Sequence, residues 1–301
     1  MKAILLRGYG EVDQLHYEDA PDPVAGPGEV VVRVASTSIN PIDFKLRAGH
    51  MKAIMPLTFP DILGRDVAGE VTAIGDGVTS LKVTDKVLGL VNHSYAQYLT
   101  AKAEDLAKLP DGLDILDAGV VPLVALTGTQ LIENGVHPKA GDVVLVTGAL
   151  GSVGRVAVFV AKQHGAHVIA GVRAKQKAEA ETIGADAVVA LDDDAEIASL
   201  PELDAIADTV GGETIGKLLP KLKKSGVLAT VLGKPPAADQ AGTKVNEVFA
   251  RPDAKRLYEL AVDVRDRRLV IPISNRLPLS EIRKAQTLAE KGCQGKIAVL
   301  P

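Results

Sequence analysis

Asp142-Val143-Val144-Leu145-Val146-Thr147, running straight into Gly148-Ala149-Leu150-Gly151-Ser152-Val153-Gly154, is the stretch on which the fold turns. The run Val143 to Thr147 shows no polar alternation, the pattern of a strand in a parallel sheet covered on both faces. Val153 to His164 then predicts a helix with Val156, Ala157 and Val160 on one side. Further along, His167 to Gly171 reads as a second strand, and Lys175 to Ile183 as a helix closed by Gly184. Ala187 to Leu191, Leu203 to Asp208, Gly226 to Leu232 and Lys244 to Phe249 supply four more strands. Six strands with helices between them describe an α/β, doubly wound sheet of the Rossmann type.

The flanks read differently. Residues 1–120 hold short β-branched runs, Glu29 to Val34, Val67 to Val71 and Lys86 to Leu90, separated by Gly, Pro and Asp. Six prolines between Pro21 and Pro60 forbid long helices there, so this part is expected to be mainly β. The tail offers a charged amphipathic helix (Asp253 to Arg267), a short segment Ile271 to Ile273, a helix from Ser280 to Lys291 and a strand Lys296 to Leu300. Ser280 stands where an N-cap would, and Asp192-Asp193-Asp194 reads as a solvated turn. The expected division is one domain from residues 1–122 and 266–301 and a second from 123–265.

Length allows this: 301 residues at about 150 per domain make two domains. Hydrophobic residues at 47% against 24% charged give a sizeable core and exclude a disordered chain. With 3% aromatics, no Trp and a net charge of −4, a nucleic-acid partner is not expected. One cysteine, Cys293, makes neither an internal disulfide nor a Cys-rich zinc site. The apolar stretch after Met1 is too short for a signal sequence, and the tract Val143 to Ala161 is broken by glycines and Arg155, so no membrane segment and a cytoplasmic location are expected.

A glycine-rich turn between a buried strand and a helix offers free N–H groups at the positive end of the helix dipole, which is an anion site. Ala149, Gly151, Ser152 and Val153 are therefore candidates for holding a pyrophosphate; a purely structural turn is the competing reading. The stretch Ile169 to Lys177 decides which dinucleotide. A carboxylate there would bond a ribose hydroxyl, as in NAD sites. None is present, and three cations are. Arg173 is matched to a 2′-phosphate by its planar fork, with Lys177 one turn on, and the expected cofactor is NADPH. A basic, solvated helix start is the alternative, at a cost near the positive end of a dipole.

Ser38 to Gly49, Leu63 to Val71, Tyr95 to Tyr98, Ala125 to Thr129, the phosphate loop, Asp208 to Glu213 and Gly295 to Ile297 together resemble the medium-chain dehydrogenase/reductase superfamily, and within it the zinc-independent quinone oxidoreductases. The resemblance covers essentially the whole chain. It implies a mainly β GroES-like catalytic domain beside the Rossmann domain, and a homodimer. Two departures stand out: Ser152 replaces a glycine common in the loop, and Lys45 stands where many close quinone reductases carry Tyr, which is similar to the plant enone-reductase branch. The Cys and His-Glu zinc ligands that related alcohol dehydrogenases place near Asn40–Asp43 and Gly64–Asp66 are absent, so no metal is expected.

The activity so implied is hydride transfer from NADPH to a quinone or to the C=C bond of an α,β-unsaturated carbonyl. Asn40 is the candidate carbonyl-facing donor, against an Asx turn before Pro41. Lys45 is the candidate cation near the nicotinamide ribose or the developing oxyanion, against a surface lysine. Tyr95 is a candidate to close the substrate pocket, against simple packing. Thr127 resembles a threonine near the nicotinamide and its phosphates. Val210, Gly211, Leu232 and Gly233, at carboxyl ends of strands, would line the cofactor through backbone groups. A non-catalytic NADPH-binding redox sensor or scaffold competes with the enzyme; a methyltransferase does not, because Arg173 stands where its acid should be.

Overall fold

The computed structural model describes residues 1–301, the side chain of Gln240 excepted. It divides into two compact units, Met1–Leu123 with Pro252–Pro301, and Val124–Arg251.

The first unit begins with β1 (Lys2–Leu6), β2 (Leu15–Asp19), β3 (Glu29–Ser38), β4 (Asp61–Ile62), β5 (Asp66–Ile74), β6 (Lys86–Leu90), β7 (Tyr98–Lys102) and β8 (Leu106–Lys108). Their pairing is antiparallel throughout, as short prolyl-punctuated strands joined by turns require. Val30, Val32 and Val34 of β3 alternate into a core with Val67, Val71 and Val87. The helix Pro41–Arg47 follows β3 directly. Pro41 sits at its first position, where a missing N–H costs nothing, and Asp43 three residues in reaches back to the Asn40 N–H at 2.8 Å.

The second unit carries β9 (Val143–Thr147), β10 (His167–Val172), β11 (Ala187–Ala190), β12 (Leu203–Asp208), β13 (Leu222–Thr230) and β14 (Lys244–Glu247). All pairings are parallel and the order is β11-β10-β9-β12-β13-β14. Val144, Leu145 and Val146 are fully buried, as a strand covered on both faces must be. The order reverses beside β9, so the turns following β9 and β12 open the crevice where such sheets bind ligands. The helix expected after β10 is a sequence of short turns, 3₁₀ from Ala174 to Gln176, α from Lys177 to Ala180 and 3₁₀ again to Ile183, ended by Gly184 at φ +80°.

The chain then returns to the first unit with the helix Ala254–Arg265, β15 (Ile273–Pro278), the helix Ile282–Glu290 and β16 (Lys296–Leu300). β16 pairs antiparallel with β3, extending the sheet order to β15-β16-β3-β5-β6-β8. Three expectations are corrected. Ala254–Arg265, expected in the nucleotide domain, belongs to the first unit: the faces of an amphipathic helix do not say which core it covers. Ser280 lies inside a 3₁₀ turn, Leu279–Glu281, and caps nothing. Asp193 is more than turn: its carboxylate accepts from the Ala195 and Glu196 N–H groups and starts the helix Asp194–Ser199.

Candidate active site

In the first unit the chemistry-bearing residues converge where β3, its following helix, β5 and β16 meet. Asp66 opens β5 fully buried, where a carboxylate must find hydrogen-bond partners. Its Oδ2 accepts from Ser38 Oγ at 2.5 Å and from Asn40 Nδ2 at 2.7 Å, and its Oδ1 accepts from the Leu123 N–H at 2.6 Å. Lys296, at the start of β16, donates to Asn40 Oδ1 at 2.5 Å and to the Ile39 carbonyl at 2.9 Å. Its ammonium lies 3.8 Å from Asp66. Burial pushes the Lys296 ammonium below its ordinary range, opposed by the Asp66 and Asp43 charges.

Beside it lies a second buried pair. Tyr95 donates to Asp43 Oδ2 at 2.6 Å. Burial raises the Asp43 carboxyl to about 6, against those hydrogen bonds, and raises the Tyr95 phenol well above its usual value. Arg47, also buried, is supplied in full: Gly10 O at 3.1 Å, Gln286 Oε1 at 2.6 Å and Glu290 Oε1 at 2.7 Å.

These contacts place the expected catalytic residues. Asn40 is 1% exposed and its amide is held at both ends, locked between a cation and a carboxylate. Tyr95 is 0% exposed and belongs to the core with Ile4, Leu6 and Leu63. Lys45 is half-buried with no side-chain partner among the described residues.

In the second unit the strand-to-helix turn is shaped by glycine. A Cβ on Gly154 would collide with the Gly148 carbonyl oxygen, and one on Gly148 (φ +61°) would meet Thr209 and Val210. Gly151 is the N-cap of the helix Ser152–Gln163 and brings no side chain to cap it, leaving the first-turn N–H groups of Ser152, Val153 and Gly154 open for an anion. Arg155 fixes the loop, its Nε donating to the Leu150 carbonyl at 3.1 Å. Ala149 is spent on packing: it is buried and its N–H donates to Gly171 O at 3.2 Å. Thr127 lies on the helix Pro122–Gln130.

Arg173 follows β10 directly and is exposed, and its guanidinium has no partner among the described residues. Lys177, expected beside it, is instead held by both oxygens of Glu196 at 2.7 and 2.8 Å. The backbone donors expected of Val210, Gly211 and Leu232 are also taken. Asp208 Oδ1 accepts from Val210 N and Gly211 N, and Thr230 Oγ1 accepts from Leu232 N. The same aspartate binds the hydroxyls of Thr147 and Thr230, tying the carboxyl ends of β9, β12 and β13 together. Val210 (50%) and Leu232 (43%) present exposed apolar side chains instead, and Gly233 turns the chain at φ +91°.

The chain is similar to known proteins in sequence and fold. The family model for the alcohol dehydrogenase GroES-like domain matches residues 26–111, and that for zinc-binding dehydrogenase matches residues 152–251. A chloroplast envelope quinone oxidoreductase homolog of Arabidopsis thaliana is 28% identical, covering 100% of this chain and 98% of that protein. Two other chloroplastic relatives are matched over 60% of their own length. The solved quinone oxidoreductase of Coxiella burnetii superposes with a TM-score of 0.90 at 28% identity, over 100% of this chain and 99% of that one. The mycobacterial protein Rv1454c complexed with NADPH superposes at 0.86 with 27% identity, over 100% of both chains. The chain belongs to the medium-chain dehydrogenase/reductase superfamily. Within it, the chain falls in the zinc-independent quinone oxidoreductase branch.

In this medium-chain dehydrogenase/reductase the sequence reading singled out Asn40 and missed what holds it. Lys296, Asp66, Ser38 and Asp43 lie inside the motifs that carried the resemblance, and those motifs were the signal. Asp208 and Asp192 were missed too. Asp192 Oδ1 accepts from the Ala174 N–H at 2.7 Å, so a carboxylate from the end of β11 reaches the turn that Arg173 opens. No helix of the protein is long and apolar enough to cross a membrane, among the described residues. No group of three or more His, Cys, Asp and Glu among the described residues is arranged to hold a metal ion.

Proposed function

We propose that the chain is an NADPH-dependent oxidoreductase acting on quinones or on the C=C bond of α,β-unsaturated carbonyls. The observation that carries this reading is the pairing of an uncapped helix start at Ser152–Gly154 with an unpartnered guanidinium at Arg173. The first fits a pyrophosphate; the second fits the extra 2′-phosphate. The NADPH complex of Rv1454c and the quinone oxidoreductase of Coxiella burnetii support it. When bound, the cofactor supplies a hydride; the chain's own residues orient the acceptor and meet the charge that develops on its oxygen.

In that role Lys45, half-buried and unpaired, brings a cation. Asn40 acts as a positioning residue, transmitting the Lys296–Asp66 geometry to the segment Asn40–Pro41. A cytoplasmic location and a homodimer belong to the same reading. The test is steady-state NADPH oxidation with a panel of quinones, enones and enals. Turnover with any of them at a rate well above buffer supports the enzyme. NADPH binding without turnover would instead favour a non-catalytic sensor or scaffold, and absence of NADPH binding would overturn both.

A further inference from the structure

Arg47 and Arg65 of the first unit both carry guanidinium nitrogens away from water, and the fold treats the two oppositely. Arg47 is given a carbonyl, an amide oxygen and a carboxylate. Arg65 is given nothing: its Nε is buried without a hydrogen-bond partner, and its guanidinium forms no ion pair among the described residues. A buried donor left without a partner keeps its full desolvation cost, and the more so when it is charged. The neighbouring acid cannot help, because Asp66 already accepts four hydrogen bonds or charges from Ser38, Asn40, Leu123 and Lys296. Asp61, four residues back, faces His93 at 3.4 Å.

The backbone holds Arg65 in place. Gly64 precedes it at φ +98°, where an added Cβ would strike Ser94 and the Tyr95 ring. The link Leu63 to Arg65 between β4 and β5 is pinned on the segment Val91 to Tyr95, with Val91 N donating to Arg65 O at 2.8 Å and Tyr95 N to Leu63 O at 3.0 Å. A half-buried, uncompensated guanidinium on a pinned backbone suits a planar oxyanion, which it can take through two parallel N–H donors.

We propose that Arg65 is the anion-recognising residue of the first unit, binding a substrate oxygen that carries or acquires negative charge. This rests on the reading above in one respect. With a neutral quinone or enone, a hydride added at carbon sends the π-electron pair to the carbonyl oxygen, and Arg65 meets that oxygen before solvent protonates the enolate or hydroquinone anion. With a carboxylate-bearing acceptor, the same guanidinium meets a standing charge.

The experiment has a binding arm and a turnover arm, using the full-length protein as wild type, Arg65→Met and Arg65→Lys. Benzoate, a planar carboxylate about the size of a small quinone, is titrated against chloride at equal ionic strength while the unfolding midpoint is followed. Benzoate raises the midpoint of the wild type and leaves Arg65→Met unmoved, while Arg65→Met without anion is at least as stable as the wild type. Equal protection of both, or of neither, overturns the proposal, whatever the turnover assay gives. Should Arg65→Met not fold, Arg65→Lys serves, with weakened protection because the two-point fork is lost. In the turnover arm, loss of one oxyanion donor lowers kcat on neutral acceptors by about 100-fold or more at little change in KM. If the charge is a standing one, KM for carboxylate acceptors rises and neutral acceptors are unaffected. Unchanged kinetics on both overturns the substrate role. Benzoate protection dependent on Arg65 in a protein that oxidises no NADPH would uphold the anion site and defeat the proposed function alone.

Discussion

Arg173 and Asp43 are single residues whose surroundings make opposite demands. Arg173 stands free in solvent at the end of β10, so its removal leaves folding alone and acts only on what it binds. A charge-assisted bond to phosphate is worth about 1.5–3 kcal/mol, so Arg173→Ala weakens NADPH binding by roughly 10- to 100-fold and leaves NADH nearly unchanged. Calorimetric titration with both nucleotides checks it; equal losses would remove the 2′-phosphate from the reading. Asp43 is fully buried, with its carboxyl raised from the ordinary 3.8 to about 6. Between those values the folded protein holds a proton that the unfolded chain has released, so stability falls as pH rises through this window. The contribution is complete below about pH 4, is lost by about pH 6 and is flat above, and amounts to about 3 kcal/mol. Asp43→Asn has no such proton, so its stability relative to the wild type rises by that amount between pH 4 and pH 6. Urea denaturation at a series of pH values measures it, and a constant difference would show that Asp43 does not titrate there.

At the level of elements, the turn from β9 into its helix depends on two glycines with different reasons for being glycine. Gly154 lies on the first helical turn with the Gly148 carbonyl oxygen where a methyl would go. Gly151 would bring its Cβ to 3.1 Å of the same oxygen, a contact that a small shift relieves. Gly154→Ala therefore separates helix from strand and costs about 1–3 kcal/mol of folding stability, as overpacking does. Gly151→Ala costs less and mainly narrows the approach of a phosphate. Denaturant midpoints distinguish the two, and equal losses would contradict the packing assigned to Gly154. On the opposite edge of the cradle, Asp208 spends its acceptors on Thr147, Thr230, Val210 and Gly211. It is one carboxylate organising three strand ends.

At the scale of the whole molecule, the first unit is assembled from both ends of the chain, with β16 laid against β3 and Lys296 delivered to a carboxylate 230 residues earlier. The second unit is one uninterrupted segment, Val124–Arg251. A ligand that binds only the folded state stabilises it by mass action, about 2.7 kcal/mol at a concentration 100 times Kd. NADPH is thus expected to raise the thermal midpoint of the wild type and to do so far less in Arg173→Ala. A chelator is expected to change neither the midpoint nor turnover; loss of either on chelation would reveal a metal.

The sequence by itself determined the doubly wound sheet, because an apolar run followed by glycines and a 3.6-residue repeat is a local pattern that dictates strand, turn and helix within a few residues. It also determined the cationic end of β10, since Arg173 and the missing acid are neighbours in the chain. Contacts between distant segments are settled by folding alone. Lys177 is drawn to Glu196, Asp192 comes round to the Ala174 N–H, Asn40 is gripped by Lys296 and Asp66, and Tyr95 turns into the core. The physical reason is burial. Whether a polar side chain is free to meet a ligand depends on which partners the fold brings within about 3 Å of it, the length of a hydrogen bond. That proximity is written in no single stretch of the chain.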